Sequence, residues 1–210
     1  MTMRFYYAPM SCALATHIVL EHIGADYEAE KLNLRENDQN APGYLAINPK
    51  GRVPALVTNQ GILTETPALL FYLAQTFPAA NLAPLDDAFA LAQMQSINSW
   101  FCSTVHVHHA HGARGRRWSD DLDAQQSMKA KVAENMTGAA ALIEKEILRG
   151  PWVMGEQFTV ADAYLFTMTS WMVGDGVDME QFPKLADHFK RMLALPAVKK
   201  IAPLHGITAQ

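Results

Sequence analysis

The strongest constraint on how this chain can fold is a change of hydrophobic period part-way along it. Up to about residue 64, short strand-like runs alternate with helical ones. Beyond "FPAANLAPLDD", residues 77–87, no strand signal remains. That segment holds two prolines, an asparagine and no period, the composition of a linker. At 210 residues the chain is long enough for two modest domains. The expected division is an α/β domain over 1–78, a linker over 79–86 and an all-helical domain over 87–210.

In the first part, "RFYYA" is short and aromatic, as strands are. From Cys12 onward Ala15, Ile18, Val19 and Ile23 fall on one helical face, and Gly24 supplies a stop. "DYEAEKLNL" suits a second strand, and "RVPALVTNQGILTE" suits a hairpin turning at Asn59-Gln60-Gly61. In "TPALLFYLAQTF", Thr66 is placed to cap a helix whose first position is Pro67. Past the linker, Phe89, Ile97, Phe101 and Val105 sit near helical spacing. Met128, Val132, Met136, Ala139, Ile143 and Ile147 form an apolar stripe ended by Gly150-Pro151. Thr159 and Asp162 in "FTVADAYLF" make a capping box, and a last helix ends before Pro196.

The formal net charge of −4 gives no general attraction to nucleic acid or anionic membrane. Arg114, Arg116 and Arg117 form one basic cluster, expected to be a solvated face. No apolar run approaches the ~20 residues needed to cross a bilayer. The start shows no signal-peptide pattern, and the two cysteines, Cys12 and Cys102, have no disulfide or metal spacing. Cytoplasm is the expected compartment.

The segments "INPKGRVPAL", "LTETPALLFYLA", "FTVADAYLF" and "LALPAVKK" resemble, in order and spacing, the cytosolic glutathione transferase family. "YYAPMSCALATHIVL" is most similar to its bacterial beta class. The resemblance implies a thioredoxin-like domain followed by a helical one, and a homodimer. Glutathione would be a co-substrate, with no metal and no nucleic-acid or membrane partner. It further implies a cis Val53–Pro54 bond that leaves Val53 backbone groups for the tripeptide. Glu65 and Thr66 at a helix start would take the γ-glutamyl group, and Arg35 the glycyl carboxylate. Tyr7 and Ser99, the latter where the class has an asparagine, complete the implied glutathione contacts.

The implied catalytic candidates are Cys12, Ser11 and His106. A cysteine at a helix N-terminus has its thiolate favoured by the dipole. Ser11 is the rival activator, and His106 matches the active-site histidine of the class. In "HVHHAH" the pairs His106/His109 and His108/His111 lie on two different faces, so no metal is expected. Three functions follow. The first is conjugation of glutathione to small hydrophobic electrophiles. The second is thiol–disulfide exchange or reductive dehalogenation with Cys12 as covalent nucleophile. The third is a non-enzymatic ligand-binding or regulatory role.

Overall fold

The computed structural model describes residues 2–207. Strand β1 (Met3–Tyr7) leads through helix α1 (Ala13–His22) to β2 (Tyr27–Lys31). After the short α2 (Pro42–Leu45) come β3 (Ala55–Thr58), β4 (Gly61–Thr64) and α3 (Thr66–Thr76). The sheet order is β2-β1-β3-β4. The pair β1–β2 is parallel, as a helical crossover requires, and the other two pairs are antiparallel. Thr58 lies opposite Gly61, so Asn59 and Gln60 alone form the hairpin turn.

Helix α1 differs from the one-faced helix expected. Ala13 to Leu20 are buried without a break, because α1 packs on β1 and α3 and is covered by the helical half. Gly24, at φ +63°, ends the helix as expected. The cap of α3 needs correction. Glu65, not Thr66, is the N-cap, at φ +74°, and Thr66 is the first helical residue.

The second half is helical: α4 (Ala88–Trp100), a π turn (Phe101–Val105), α5 (His106–Arg114), a 3-10 turn (Gly115–Arg117), α6 (Leu122–Ala130), α7 (Val132–Leu142), a second π turn (Ile143–Ile147), α8 (Val160–Met172), α9 (Pro183–Ala194) and α10 (Pro196–Ile201). The stripe expected as one helix breaks at Lys131, yet Val132, Met136, Ala139 and Ile143 stay buried. Of the residues near helical spacing in α4 and the turn after it, Ile97, Phe101 and Val105 are buried and Phe89 is 73% exposed.

Helix α8 is the axis of this half, buried at twelve of its thirteen positions. The capping box forms. The fully buried Asp162 carboxylate accepts from the Thr159 N–H at 2.7 Å and its hydroxyl at 3.0 Å. It also accepts from the Val153 N–H at 2.7 Å and meets His188 Nε2 at 3.0 Å. One side chain thus ties the start of α8 to the preceding loop and to α9.

Candidate functional site

Three loops converge at one end of the sheet: the exit of β1 (Met10–Cys12), the entry to β3 (Lys50–Pro54) and the exit of β4 (Glu65–Thr66). They must share an end, because β1 and β4 run opposite to β3. Facing them are Cys102, His106 and Arg117 from the α4–α5 region, and Tyr164 from α8. Between the two walls lies a cavity of about 480 Å³. It continues past Cys12 into a crevice lined by Met10, Ser11, His109, Arg114 and Trp171.

The loop before β3 is held rigidly. The Val53–Pro54 bond is cis. The Arg52 carbonyl accepts from the Tyr44 hydroxyl at 2.5 Å and from Asn48 Nδ2 at 2.7 Å. Cys12 Sγ lies 3.5 Å from the Val53 carbonyl, the distance of a weak S–H donation. At the start of α3, Glu65 pairs with Lys50, which also donates to Thr64 Oγ1 at 2.8 Å. The Thr66 hydroxyl is buried with no partner among the described residues. A buried hydroxyl without a partner carries a desolvation cost of about 1–3 kcal/mol. It faces a helix N-terminus, where N–H groups and the dipole favour an anion.

Burial pushes the Cys12 thiol up to about 11. The Thr66 hydroxyl, close to the sulfur but outside hydrogen-bonding geometry, opposes the rise, while Cys102 and Glu65 add to it. The dipole argument from sequence is therefore outweighed by desolvation. At pH 7 only about one Cys12 in ten thousand is thiolate. Burial, aided by His109 and the neighbouring arginines, pulls His106 down to about 4, so its imidazole is neutral at pH 7. The Ser11 hydroxyl donates to the Ala8 carbonyl at 2.6 Å and accepts from the Ala13 N–H at 3.3 Å. Its single proton is already in use. The Tyr164 phenol is held well above its ordinary value, mainly by burial, and stays a hydrogen-bond donor.

Residues 1–75 match the family model for the glutathione S-transferase N-terminal domain, and residues 114–191 match the model for its C-terminal domain. The chain is 30% identical to glutathione S-transferase GST-4.5 of Xanthomonas campestris pv. campestris, covering 98% of this chain and all of that one. The chain belongs to the glutathione S-transferase family. A glutathione transferase homologue from Sulfitobacter, solved with bound glutathione, is 41% identical, with a TM-score of 0.94 over 99% of each chain. A bacterial beta-class transferase from Sphingomonas chungbukensis is 30% identical, with a TM-score of 0.84 over 98% of this chain and all of that one. The protein is thus a glutathione S-transferase, with beta-class structures among its neighbours.

Of the residues that the sequence of this transferase singled out, Cys12, His106, Val53, Pro54, Glu65 and Thr66 line the 480 Å³ cavity, and Ser11 lines the adjoining crevice. Arg35 lines an outer groove that shares Met10, Leu34, Gln39, Arg52 and Arg114 with the crevice. Two lie elsewhere. Ser99 is exposed on α4 and lines none of the cavities described. Tyr7 is buried among Phe5, His17 and His205.

The structure adds Arg52, Arg114, Arg117, Cys102, Tyr164 and Trp171 to the cleft. Of the basic cluster, Arg116 and Arg117 are exposed, as expected of a solvated face, while the half-buried Arg114 lines the crevice and Arg117 also borders the main cavity. Arg52 and Tyr164 lie inside motifs already visible in the sequence, "INPKGRVPAL" and "FTVADAYLF". Cys102 and Trp171 carried no such signal. The histidine run serves packing. His109 meets Asp175 at 2.7 Å and stacks on Trp171, and His111 lies against Trp118. Among the described residues, no group of three or more His, Cys, Asp or Glu is arranged to hold a metal ion.

Proposed function

We propose that this cleft seats glutathione at this end of the sheet and joins its thiolate to a small electrophile held against the helical half. The partnerless Thr66 hydroxyl supports this most directly, because it shares one cavity with Val53, Cys12 and His106. The γ-glutamyl carboxylate takes the start of α3 and the Thr66 hydroxyl. Its ammonium takes Glu65 in place of Lys50, and the cysteinyl backbone pairs with Val53. The sulfur then lies near two neutral donors, the Cys12 S–H and an N–H of His106. Each can stabilise a thiolate without carrying charge. The thiol proton leaves to solvent, and the sulfur forms its bond to carbon as the leaving group departs. Juxtaposing the two reactants supplies most of the acceleration. In this reading residues 1–78 hold glutathione, 79–86 connect, and 87–210 shape the electrophile site.

Conjugation to 1-chloro-2,4-dinitrobenzene tests the seat. Thr66→Val is expected to raise KM for glutathione about tenfold, the loss of a charge-assisted hydrogen bond. An unchanged KM would sink the assignment. Using Cys12 as a covalent nucleophile is the weaker reading, because a thiol at about 11 is protonated. Cys12→Ala separates the two. It should abolish any reduction of glutathione mixed disulfides while lowering conjugation only several-fold.

The same reading takes the protein as a cytoplasmic homodimer. Phe89 near the start of α4, Leu85 before it and Ile62 on edge strand β4 are exposed apolar side chains that a second copy would cover. Sedimentation should show a dimer at micromolar concentration, and Phe89→Asp should shift it to monomer. Among the described residues no helix is long and apolar enough to cross a membrane.

A further inference from the structure

The cleft holds more positive charge than glutathione uses. Arg52 and Arg117 line both the main cavity and the crevice, Arg114 lines the crevice beside Cys12, and Arg116 stands on the outer groove. Among the described residues none of these four forms an ion pair. The one carboxylate on the cavity wall, Glu65, is engaged by Lys50. A bound glutathione thiolate brings two carboxylates, one ammonium and one sulfur anion, a net charge of −2. Against the three guanidinium charges that line the cavity and crevice, and with Lys50 and Glu65 cancelling, one positive charge remains unanswered, with Arg116 close by.

The cluster is also repulsive at rest. Arg114 is half-buried and held below its ordinary value, by burial first and then by Arg52 and Arg116. Arg117 is pulled down to about 10 by burial and by Arg114, Arg52 and Arg116. Like charges brought together without counter-charges destabilise the unliganded fold, and an anion placed among them removes that cost. The surroundings narrow the kind of anion. The crevice itself holds only about 80 Å³, but it shares Met10, Leu34, Arg114 and Arg117 with the outer groove of about 830 Å³, so an apolar or aromatic body would lie there beside the charged groups. The net charge of −4 argues against a nucleic-acid backbone.

We propose that the site beside glutathione takes a second ligand bearing a carboxylate, seated on Arg114 and Arg117 with its apolar body on Met10 and Leu34. This rests on the cleft being the glutathione site. The planar guanidinium fork matches a carboxylate in two parallel hydrogen bonds. Two sources share this chemistry: an electrophile with a carboxylate on its ring or chain, and a second glutathione molecule.

The test uses 4-chloro-3,5-dinitrobenzoate and its methyl ester, two electrophiles that differ only in whether the carboxylate is masked. In both, the thiolate forms a C–S bond at the chlorine-bearing carbon, and chloride leaves with the electron pair of the broken C–Cl bond. Each kcat/KM is divided by the uncatalysed rate with glutathione. The expected ratio of acid to ester is tenfold or more in the wild-type enzyme. It should fall toward one in the Arg114→Ala/Arg117→Ala double variant. In wild type it should also fall at about 0.5 M KCl, where screening shortens to a few ångströms. A ratio near one in wild type, or one insensitive to both charge removal and salt, overturns the proposal.

A binding titration keeps this separate from the transferase reading. 3,5-Dinitrobenzoate lacks the chloride and cannot react. With S-methylglutathione present, its binding to wild type and its loss in the double variant uphold the carboxylate site even where neither substrate turns over. In that case conjugation alone has failed. Absence of binding overturns the proposal. Finally, S-methylglutathione titrated alone identifies the source. Two molecules per chain, falling to one in the double variant, assign the second seat to glutathione. One in both, with dinitrobenzoate bound, assigns it to the electrophile.

Discussion

The wall built from residues 10–66 is loop backbone, whereas the facing wall, from Cys102 to Trp171, consists of side chains projecting from helices. Loops at the end of a sheet are positioned by local devices: the cis Val53–Pro54 bond, the Arg52 carbonyl clamped by Tyr44 and Asn48, and the positive φ of Met10 and Glu65. The helical wall has no such local fixings. His106 and Arg114 point into the cleft because α5 packs where α7 and the π turn before it allow. Its geometry is a consequence of packing many residues away. The first wall should therefore tolerate distant damage, and the second should not.

The largest expected effect breaks that comparison at its weakest point. Asp162 lines none of the cavities described, yet it gathers hydrogen bonds from Val153, Thr159 and His188 in a fully buried setting. Asp162→Ala leaves those donors unsatisfied, at about 3–5 kcal/mol. For a chain of this size that lowers Tm by roughly 10 °C. Scanning calorimetry measures it, and a shift below about 2 °C would falsify the claim that remote packing holds the helical wall.

The difference between the walls also explains what could be foreseen. The order of elements along the chain, the hairpin and the Gly24 stop rest on turn residues and short motifs, which are local in sequence, and the cis Val53–Pro54 bond was implied by the family resemblance of one such motif. The capping box at Thr159 was legible for the same reason. Thr66 misled because nothing in "LTETPALL" reveals that Glu65 adopts φ +74° and takes over the cap. Cys12 misled because a helix dipole is visible in sequence and desolvation is not. "RGRRW" has the same composition whether it faces water or a cleft. The π turn at Phe101–Val105 shifts the phase of everything after it, so helical spacing alone could not aim Arg114 inward. Phe89 shows the converse limit, since a period marks an apolar face without saying what covers it.

A middle-sized effect sharpens the comparison where the two halves meet. His17 on α1 and His205 near the C-terminus are buried and lie 3.0 Å apart, one ring donating and the other accepting. Burial pulls His17 down to about 4 and His205 down to about 3. Both values lie below the unfolded value near 6.5, so the unfolded chain binds more protons between these limits. The stability contribution is complete above about pH 6.5 and is lost as pH falls toward 4. By pH 5 the expected loss is about 2 kcal/mol for each histidine. His106, also at about 4, adds in the same direction. Urea midpoints at pH 7.5 and pH 5 test this. Equal midpoints would mean that the histidines are solvated and that the halves are joined differently.

The smallest effect asks which wall assists the glutathione sulfur. Ser11 belongs to the loop wall, and its hydroxyl proton is bonded to the Ala8 carbonyl. Removing it should therefore act on the loop and not on the chemistry. Ser11→Ala is expected to lower Tm by a few degrees, for about 1 kcal/mol of lost hydrogen bonding, and to change kcat by less than about threefold. His106 belongs to the helical wall and, neutral at pH 7, has an N–H to give. His106→Gln or His106→Ala should lower kcat by about tenfold or more, with Gln the milder because it retains an N–H donor. The kcat/KM–pH profile, which reports the free enzyme, should lack a histidine step near 6.5, since His106 at about 4 does not titrate there. A Ser11→Ala enzyme that loses kcat by a hundredfold, beside a His106→Ala enzyme that keeps it, would reverse the assignment. The activating donor would then lie on the sheet side, and the Ser11–Ala8 bond would have to open when glutathione binds.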